Sequence, residues 1–195
     1  MKFIILLSFL AGSALASSSP TAIEATQKIA GNYVGNWEMY GYRGDQLQKI
    51  MAWTDTVKTS QPIQEKDRVY VKCENTMTYA NGGSYILHWT EGYFMNADGS
   101  AGDRYFNTND VISIEREISP ELWIIEATAY PQELGQLGLP EGATGKHMTV
   151  KKVTHHEGYN VEWILRYTIA YWTTQEGPQS KEFLSMKGYH KHLLQ

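Results

Sequence analysis

The sequence is poor in cysteine. Cys73 is the single cysteine among 195 residues, so no disulfide can form within the chain. An exported domain of this kind depends on its hydrophobic core for stability. Cys73 falls on the apolar face of a predicted strand, where a thiol behaves as a small hydrophobic group rather than as a nucleophile.

Clustered positive charge is also lacking. The chain has 17 Lys and Arg against 21 Asp and Glu, a formal net charge of −4. Removal of the predicted leader, which contains Lys2, leaves 16 basic residues (17 − 1) and a net charge of −5. Nucleic-acid surfaces need grouped Lys and Arg, so nucleic acid is not an expected partner.

No apolar run reaches the roughly 20 residues that a membrane-spanning helix needs. The longest run, Phe3 to Leu10, follows the positive Lys2 and precedes the small residues of Ala14-Leu15-Ala16. This order predicts a signal peptide over 1–16, with cleavage after Ala16. The mature chain, 17–195, is then expected to be one periplasmic or secreted domain without a membrane span.

Two common catalytic motifs are missing. Gly145-Lys146 resembles the end of a phosphate-binding loop, but Pro140 replaces its first glycine and His147 follows the lysine. The chain also has no Gly-x-Ser-x-Gly nucleophile elbow. The sequence therefore indicates neither a nucleotide-binding loop nor a serine hydrolase.

The chain is rich in aromatic residues and in alternating patterns. Thirteen Tyr, six Trp and five Phe suit β-strands, and apolar residues alternate with polar ones from Asn32 onward. A helix at about 20–29, with Ser19 as its N-cap, precedes about nine strands joined by short turns. A helix and loop within Pro131 to Gly145 would cover one open end of the barrel that these strands form. We predict an all-β, antiparallel, up-and-down barrel of about 8–10 strands.

The first long strand carries the triplet Gly35-Asn36-Trp37. A Gly-x-Trp triplet there, after a short helix and before a meander of strands, resembles the lipocalins and the wider calycin group. The resemblance implies that Gly35 and Trp37 are structural, with Trp37 packed across the closed end of the barrel. Lys187 and Lys191 stand where lipocalins proper have an arginine, so the resemblance is to a bacterial lipocalin-like domain.

The apolar faces of the predicted strands carry aromatic residues that would line an interior cavity. The alternative is that they simply fill the core. The candidate ligand-binding residues are Trp53, Tyr85, Trp89, Trp163 and Tyr167.

Two charged residues are candidates for chemistry. Glu91 shares a face with Tyr85 and Trp89, where desolvation would raise its pKa and suit it to acid or base catalysis. Arg166 shares a face with Glu162, which we expect to be the solvated outside of the barrel. The alternative is an interior arginine that binds a ligand carboxylate.

His190 and His192 lie on one side of the last strand, a spacing that zinc sites use. No acid or cysteine at a readable spacing completes a ligand set, so we predict no metal and no cofactor. The leading hypothesis is an exported protein that binds a small apolar or aromatic molecule. The alternatives are an isomerase, lyase or hydrolase in the same cavity, and a surface-interaction protein with a filled interior. The ligand and the oligomeric state stay open.

Overall fold

The computed structural model describes residues 19–108, 111–119 and 121–193. The predicted signal peptide, 1–16, and its cleavage site lie outside these residues. The chain order of the helices and strands is α1 Ala22–Gln27, β1 Asn32–Arg43, β2 Gln46–Thr59, β3 Ile63–Gln64, β4 Arg68–Tyr79, β5 Ser84–Met95, β6 Ala101–Thr108, β7 Val111–Ser119, β8 Leu122–Ala129, α2 Pro131–Gln136, β9 Thr144–His156, β10 Tyr159–Thr174 and β11 Gly177–Leu193.

Ten of the strands form a closed antiparallel barrel. Each strand from β4 to β11 pairs with the next, β11 pairs with β1, β1 pairs with β2, and β2 pairs with β4 to close the ring. The two-residue β3 pairs with β4 beside this ring. The predicted all-β barrel with a short N-terminal helix is therefore confirmed. Closure gives each of the ten strands a neighbour on both sides, although residues 46–52 of β2 and 84–89 of β5 pair on one side only.

Short helices pack near the two ends of the barrel. At the first end, α1 contacts β4, β5 and β6, and Ile29 packs with Tyr33 and Val57. The N-cap of α1 is Thr21 rather than the predicted Ser19, because Glu24, three residues after Thr21, completes a capping box.

The second helix, α2, covers the other end as predicted. Leu134 is fully buried in a cluster with Ala129, Ala170 and Phe183, which belong to β8, β10 and β11. Because these residues come from separate strands, the segment between β8 and β9 is part of the core and not a free loop.

The faces of β10 are the reverse of those expected. Trp163 and Tyr171 are each 49% exposed on the outside, whereas Thr168 and Ala170 are fully buried on the inside, and Arg166 lies on their face. The register with β9 places Ala170 beside Gly145 at the buried α2 end, and a strand turned by one residue would expel it. The prediction that Arg166 faces solvent is therefore wrong.

None of the helices in the described ranges is long and apolar enough to cross a membrane.

Candidate functional site

A charged cluster lies inside the barrel. Arg104 on β6 has its Nε 3.1 Å from Oε2 of Glu115 on β7, and its NH2 nitrogen lies 3.8 Å from Oε2 of Glu91 on β5. Lys151 on β9 donates a 2.7 Å hydrogen bond to the same Glu115 oxygen. The Nε of Arg104 is not aligned for a hydrogen bond with Glu115, so their attraction is an ion pair. Four strands thus contribute charged side chains to one interior site.

The two carboxylates of this cluster have opposite pKa shifts. Burial raises the pKa of Glu91, as predicted, because the attraction of Arg104 only partly offsets desolvation. Burial also opposes ionisation of Glu115, but Arg104 and Lys151 outweigh it and lower the pKa of that carboxyl. Burial likewise opposes the charge of Arg104, yet Glu115 and Glu91 raise its pKa. Glu115 is therefore held ionised, while Glu91 binds a proton more readily than an ordinary glutamate.

Trp123 on β8 packs against the cations of this cluster. The guanidinium carbon of Arg104 lies 5.9 Å from its ring centroid, and Nζ of Lys151 lies 5.5 Å from it. These contacts add cation–π attraction and limit the positions that the two cations can occupy.

Arg166 lies apart from the charged cluster. Its Nε donates a 3.2 Å hydrogen bond to Oγ1 of Thr149. Among the described residues, no carboxylate oxygen lies within 4.0 Å of its guanidinium. Desolvation lowers the pKa of Arg166, and Glu133 offsets this only in part. Within the described ranges the Arg166 side chain makes no further hydrogen bond, so the interior holds a guanidinium with unused donors.

Methionines continue from Arg166 around the inner wall. Arg166 is opposite Met186 on β11, Met186 is opposite Met39 on β1, and Met39 is opposite Met51 on β2. Unbranched thioether side chains adapt to apolar shapes. The register thus places the Arg166 guanidinium at the edge of an adaptable apolar wall.

A chain of hydrogen bonds runs from α2 to the backbone of Arg166. The Ser185 hydroxyl donates to the Arg166 carbonyl at 3.1 Å, and the Thr168 hydroxyl donates to Ser185 at 2.7 Å. Since Thr168 has used its proton, Nδ1 of His147 must donate to Thr168 at 2.9 Å. Nε2 of His147 lies 3.5 Å from Glu133 on α2, a contact that lowers the pKa of Glu133. Helix α2 and the strand that carries Arg166 are thereby connected.

A second polar group surrounds Asp55 on β2. Its Oδ2 accepts a 3.0 Å hydrogen bond from Nδ2 of Asn75 and lies 3.1 Å from Nε2 of His190. Gly35 explains how they fit, because a Cβ at that position would overlap both the Asp55 carboxylate and the His190 ring. Gly35 is therefore needed to accommodate a buried polar contact.

Trp37 is buried, 7% exposed, in the middle of β1. Its ring lies over Gly188, where a Cβ would overlap it, and it stacks on Trp53 with centroids 6.0 Å apart. The resemblance implied a tryptophan across the closed end, but at the end covered by α1 the aromatic residue is Tyr33, stacked on His192 at 4.2 Å. Trp37 instead packs at mid-depth.

The predicted ligand-binding residues are divided between locations. Trp53 and Trp89 face the interior, and the indole Nε1 of Trp89 is buried without a hydrogen-bond partner in the described chain. Tyr85 is on the inner face near a strand end and is 56% exposed. Trp163 and Tyr167 lie on the outer face of β10, so their expected position inside the barrel is wrong.

The outer face carries a concavity of about 740 Å³ that crosses β4, β2, β1, β11 and β10. Along each of these strands, residues whose side chains point into the barrel alternate with residues whose side chains line the concavity. The outward-facing residues that line it are Asn36, Glu38, Ala52, Thr54, Thr78, Ala80, Trp163, Leu165, Lys187 and Tyr189. We refer to these residues as the outer groove.

His190 and His192 both form contacts within the fold. His190 contacts Asp55, and Nε2 of His192 donates to the Ala30 carbonyl at 3.2 Å. Burial lowers the pKa of His192. Among the described residues, no group of three or more His, Cys, Asp or Glu side chains could hold a metal ion.

No protein-family model, curated protein or solved structure matches this chain. The closed antiparallel barrel is consistent with a calycin-like fold.

Arg104, Glu115 and Lys151 were not among the residues that the sequence pointed to. Glu115 follows Ile112-Ser113-Ile114, where both isoleucines are exposed and the alternation suggests that the polar residues face water. A usable signal was the cross-strand pair of Arg104 on β6 and Glu115 on β7, because residues that pair across a sheet share one side of it.

Proposed function

We propose that the protein is an exported, lipocalin-like binding module that holds a small organic anion with an apolar or aromatic body inside the barrel. Arg166 pairs with the acidic group of the ligand, and the wall that includes Met186 and Met39 contacts its body. The observation that carries the proposal is the interior guanidinium of Arg166, which has no carboxylate partner in the described chain.

The size of the barrel supports this proposal. A barrel of eight strands is just filled by side chains or holds one small ligand, and this barrel has ten. Arg166 is half-buried and desolvation lowers its pKa, so a bidentate contact with a carboxylate would compensate for its lost hydration. The expectation of a small apolar or aromatic ligand is narrowed to such a molecule with an acidic end.

Matched ligands test the role of Arg166. We expect naphthalene-2-carboxylate to bind more tightly than naphthalene-2-methanol by about 10- to 100-fold, the range for a hydrogen bond to a charged group. Isothermal titration calorimetry measures both affinities. Arg166→Gln should remove the preference for the acid while leaving the binding of the alcohol nearly unchanged.

Lys187→Gln is the control, because Lys187 is a cation of the outer face. This variant should keep the preference for the acid. Equal affinities of the wild-type protein for the two ligands, or a preference that survives in Arg166→Gln, would refute the proposal.

A second candidate function, acid–base catalysis, rests on the opposite pKa shifts of Glu91 and Glu115 around Arg104. Neighbouring carboxyls with divergent pKa values are a common arrangement for an acid and a base. Native mass spectrometry of the protein from the exported fraction of its host would identify a retained molecule. Conversion of that molecule by the wild type but not by Glu91→Gln would support catalysis, and its return unchanged from the wild type would refute it.

A further inference from the structure

The outer groove is a second recognition surface, separate from the barrel interior. It crosses five neighbouring strands at right angles to their direction. Strands are spaced by about 4.8 Å, so the groove is about 19 Å long. It is open along its length, which suits an extended chain better than a compact molecule.

Two aromatic residues, Trp163 and Tyr189, stand side by side in the groove. Their ring centroids are 5.4 Å apart and their planes are tilted by 49°. Trp163 is 49% exposed although it is a large apolar side chain. With Leu165, which is 38% exposed, the two rings form a contiguous apolar surface, and contiguous apolar surfaces mark interaction sites.

The polar atoms of both rings already form hydrogen bonds within the protein. Nε1 of Trp163 donates to Oγ1 of Thr154 at 3.3 Å, and the hydroxyl of Tyr189 accepts a 2.6 Å hydrogen bond from Nδ2 of Asn36. These bonds fix the orientation of the rings, and what the rings present to a ligand is their flat apolar faces. Pre-oriented rings of this type stack on the apolar face of a sugar ring at little entropic cost.

The two charged residues that line the groove, Glu38 and Lys187, pair with each other. Glu38 binds Lys187 at 2.9 Å and Lys49 at 3.1 Å. Hydrogen bonds from Tyr40 and the two lysines lower the pKa of Glu38 to about 2, and hydrogen bonds to Tyr40 and Glu38 raise the pKa of Lys187 to about 12. Both groups therefore stay ionised and paired near neutral pH, which favours an uncharged ligand.

A peptide strand does not fit this surface in the usual way. Peptides that bind sheets pair with an exposed strand edge, but the groove segments of β1, β11 and β10 are paired on both sides, as is Thr54 of β2. Hydrogen bonding must instead come from side chains such as Asn36, Thr54 and Thr78, which suit hydroxyl groups.

We propose that the outer groove binds an extended, uncharged oligosaccharide, with sugar rings stacked on Trp163 and Tyr189. The polar side chains along the groove then bind hydroxyl groups on either side of the stacked ring. This function is independent of ligand binding inside the barrel.

Titration calorimetry with cellohexaose and chitohexaose tests this proposal. At least one of them should bind the wild type, and Trp163→Ala should weaken that binding by about tenfold, as loss of a stacked ring implies. Trp163→Phe, which keeps a flat ring, should weaken it less. Tyr171→Ala is the matched control, because Tyr171 is also 49% exposed on β10 but does not line the groove.

Tyr171→Ala and Arg166→Gln should bind the oligosaccharide like the wild type, and Trp163→Ala should still bind naphthalene-2-carboxylate. The two proposals can therefore fail separately. Absence of binding to both hexasaccharides would overturn the groove proposal. So would an equal loss in Trp163→Ala and Tyr171→Ala.

Discussion

The two halves of the barrel distribute polar and apolar residues in opposite ways. On β1, β2 and β4 the inner face is mostly apolar, with Trp37, Trp53 and Val71, and the outer face is mostly polar. On β9 and β10 the inner face carries Lys151 and Arg166, and large apolar residues are outside. A wide barrel therefore does not need a uniformly apolar interior, because ion pairs and hydrogen bonds compensate the charges of Arg104, Glu115 and Lys151.

The largest effect should come from breaking the charged cluster. Glu115→Gln should lower the free energy of unfolding by about 3–5 kcal/mol, because it leaves both Arg104 and Lys151 buried without their common partner. Urea denaturation measures this change. The matched control is Glu126→Gln, whose partner Lys146 lies 3.7 Å away on the exposed surface.

Glu126→Gln should cost less than about 1 kcal/mol, since exposed ion pairs contribute little. A similar loss in the two variants would mean that the inner and outer faces do not differ in the way described.

Tryptophans on the two faces provide a second comparison. Trp37→Ala should cost toward the lower end of about 3–5 kcal/mol, because Trp53 and His190 pack against the ring and can partly close the space. Trp163→Ala should cost less than about 1 kcal/mol, since its side chain is half exposed. Thermal and urea unfolding of both variants check this difference. The assignment of faces would be contradicted by a larger loss in Trp163→Ala.

The smallest change in the free energy of unfolding is expected for Glu91→Gln, and it should be an increase where the other substitutions cause a decrease. A carboxyl whose folded pKa is raised binds its proton more tightly in the native state, so the native state loses stability as pH rises through that pKa. Glu91→Gln resembles the protonated form, and we expect it to be as stable as the wild type or slightly more stable at pH 7. The difference should shrink as the pH is lowered and Glu91 takes up its proton.

Urea denaturation of Glu91→Gln across this pH range is the measurement. A large destabilisation at pH 7 would show that Glu91 acts as a structural ion-pair partner of Arg104, like Glu115.

Local patterns were sufficient for much of the fold. The strands, the helix and loop between Pro131 and Gly145, and the Asn81-Gly82-Gly83 turn follow from period-two alternation and from residues that tolerate unusual backbone angles. Gly82, for example, has a φ of +82°. The inner position of Glu91 and the upward direction of its pKa could also be read from its apolar neighbours.

The face of β10 could not be read in the same way. A strand alternates regardless of which side is buried, and the usual assumption that the apolar side faces inward fails where the interior is charged. Trp163 consequently lies outside the barrel and Arg166 inside, the reverse of what the pattern predicted.

The sequence by itself determined the class of the protein: an aromatic-rich, alternating chain without disulfides that forms an antiparallel barrel behind a short helix. Tertiary structure alone decided what Gly35-Asn36-Trp37 does, because Asp55, His190 and Gly188 meet Gly35 and Trp37 only once β2 and β11 pair with β1. It also decided that Arg104, Glu115 and Lys151 form one cluster. Such contacts depend on register between strands far apart in the chain, which no local pattern contains.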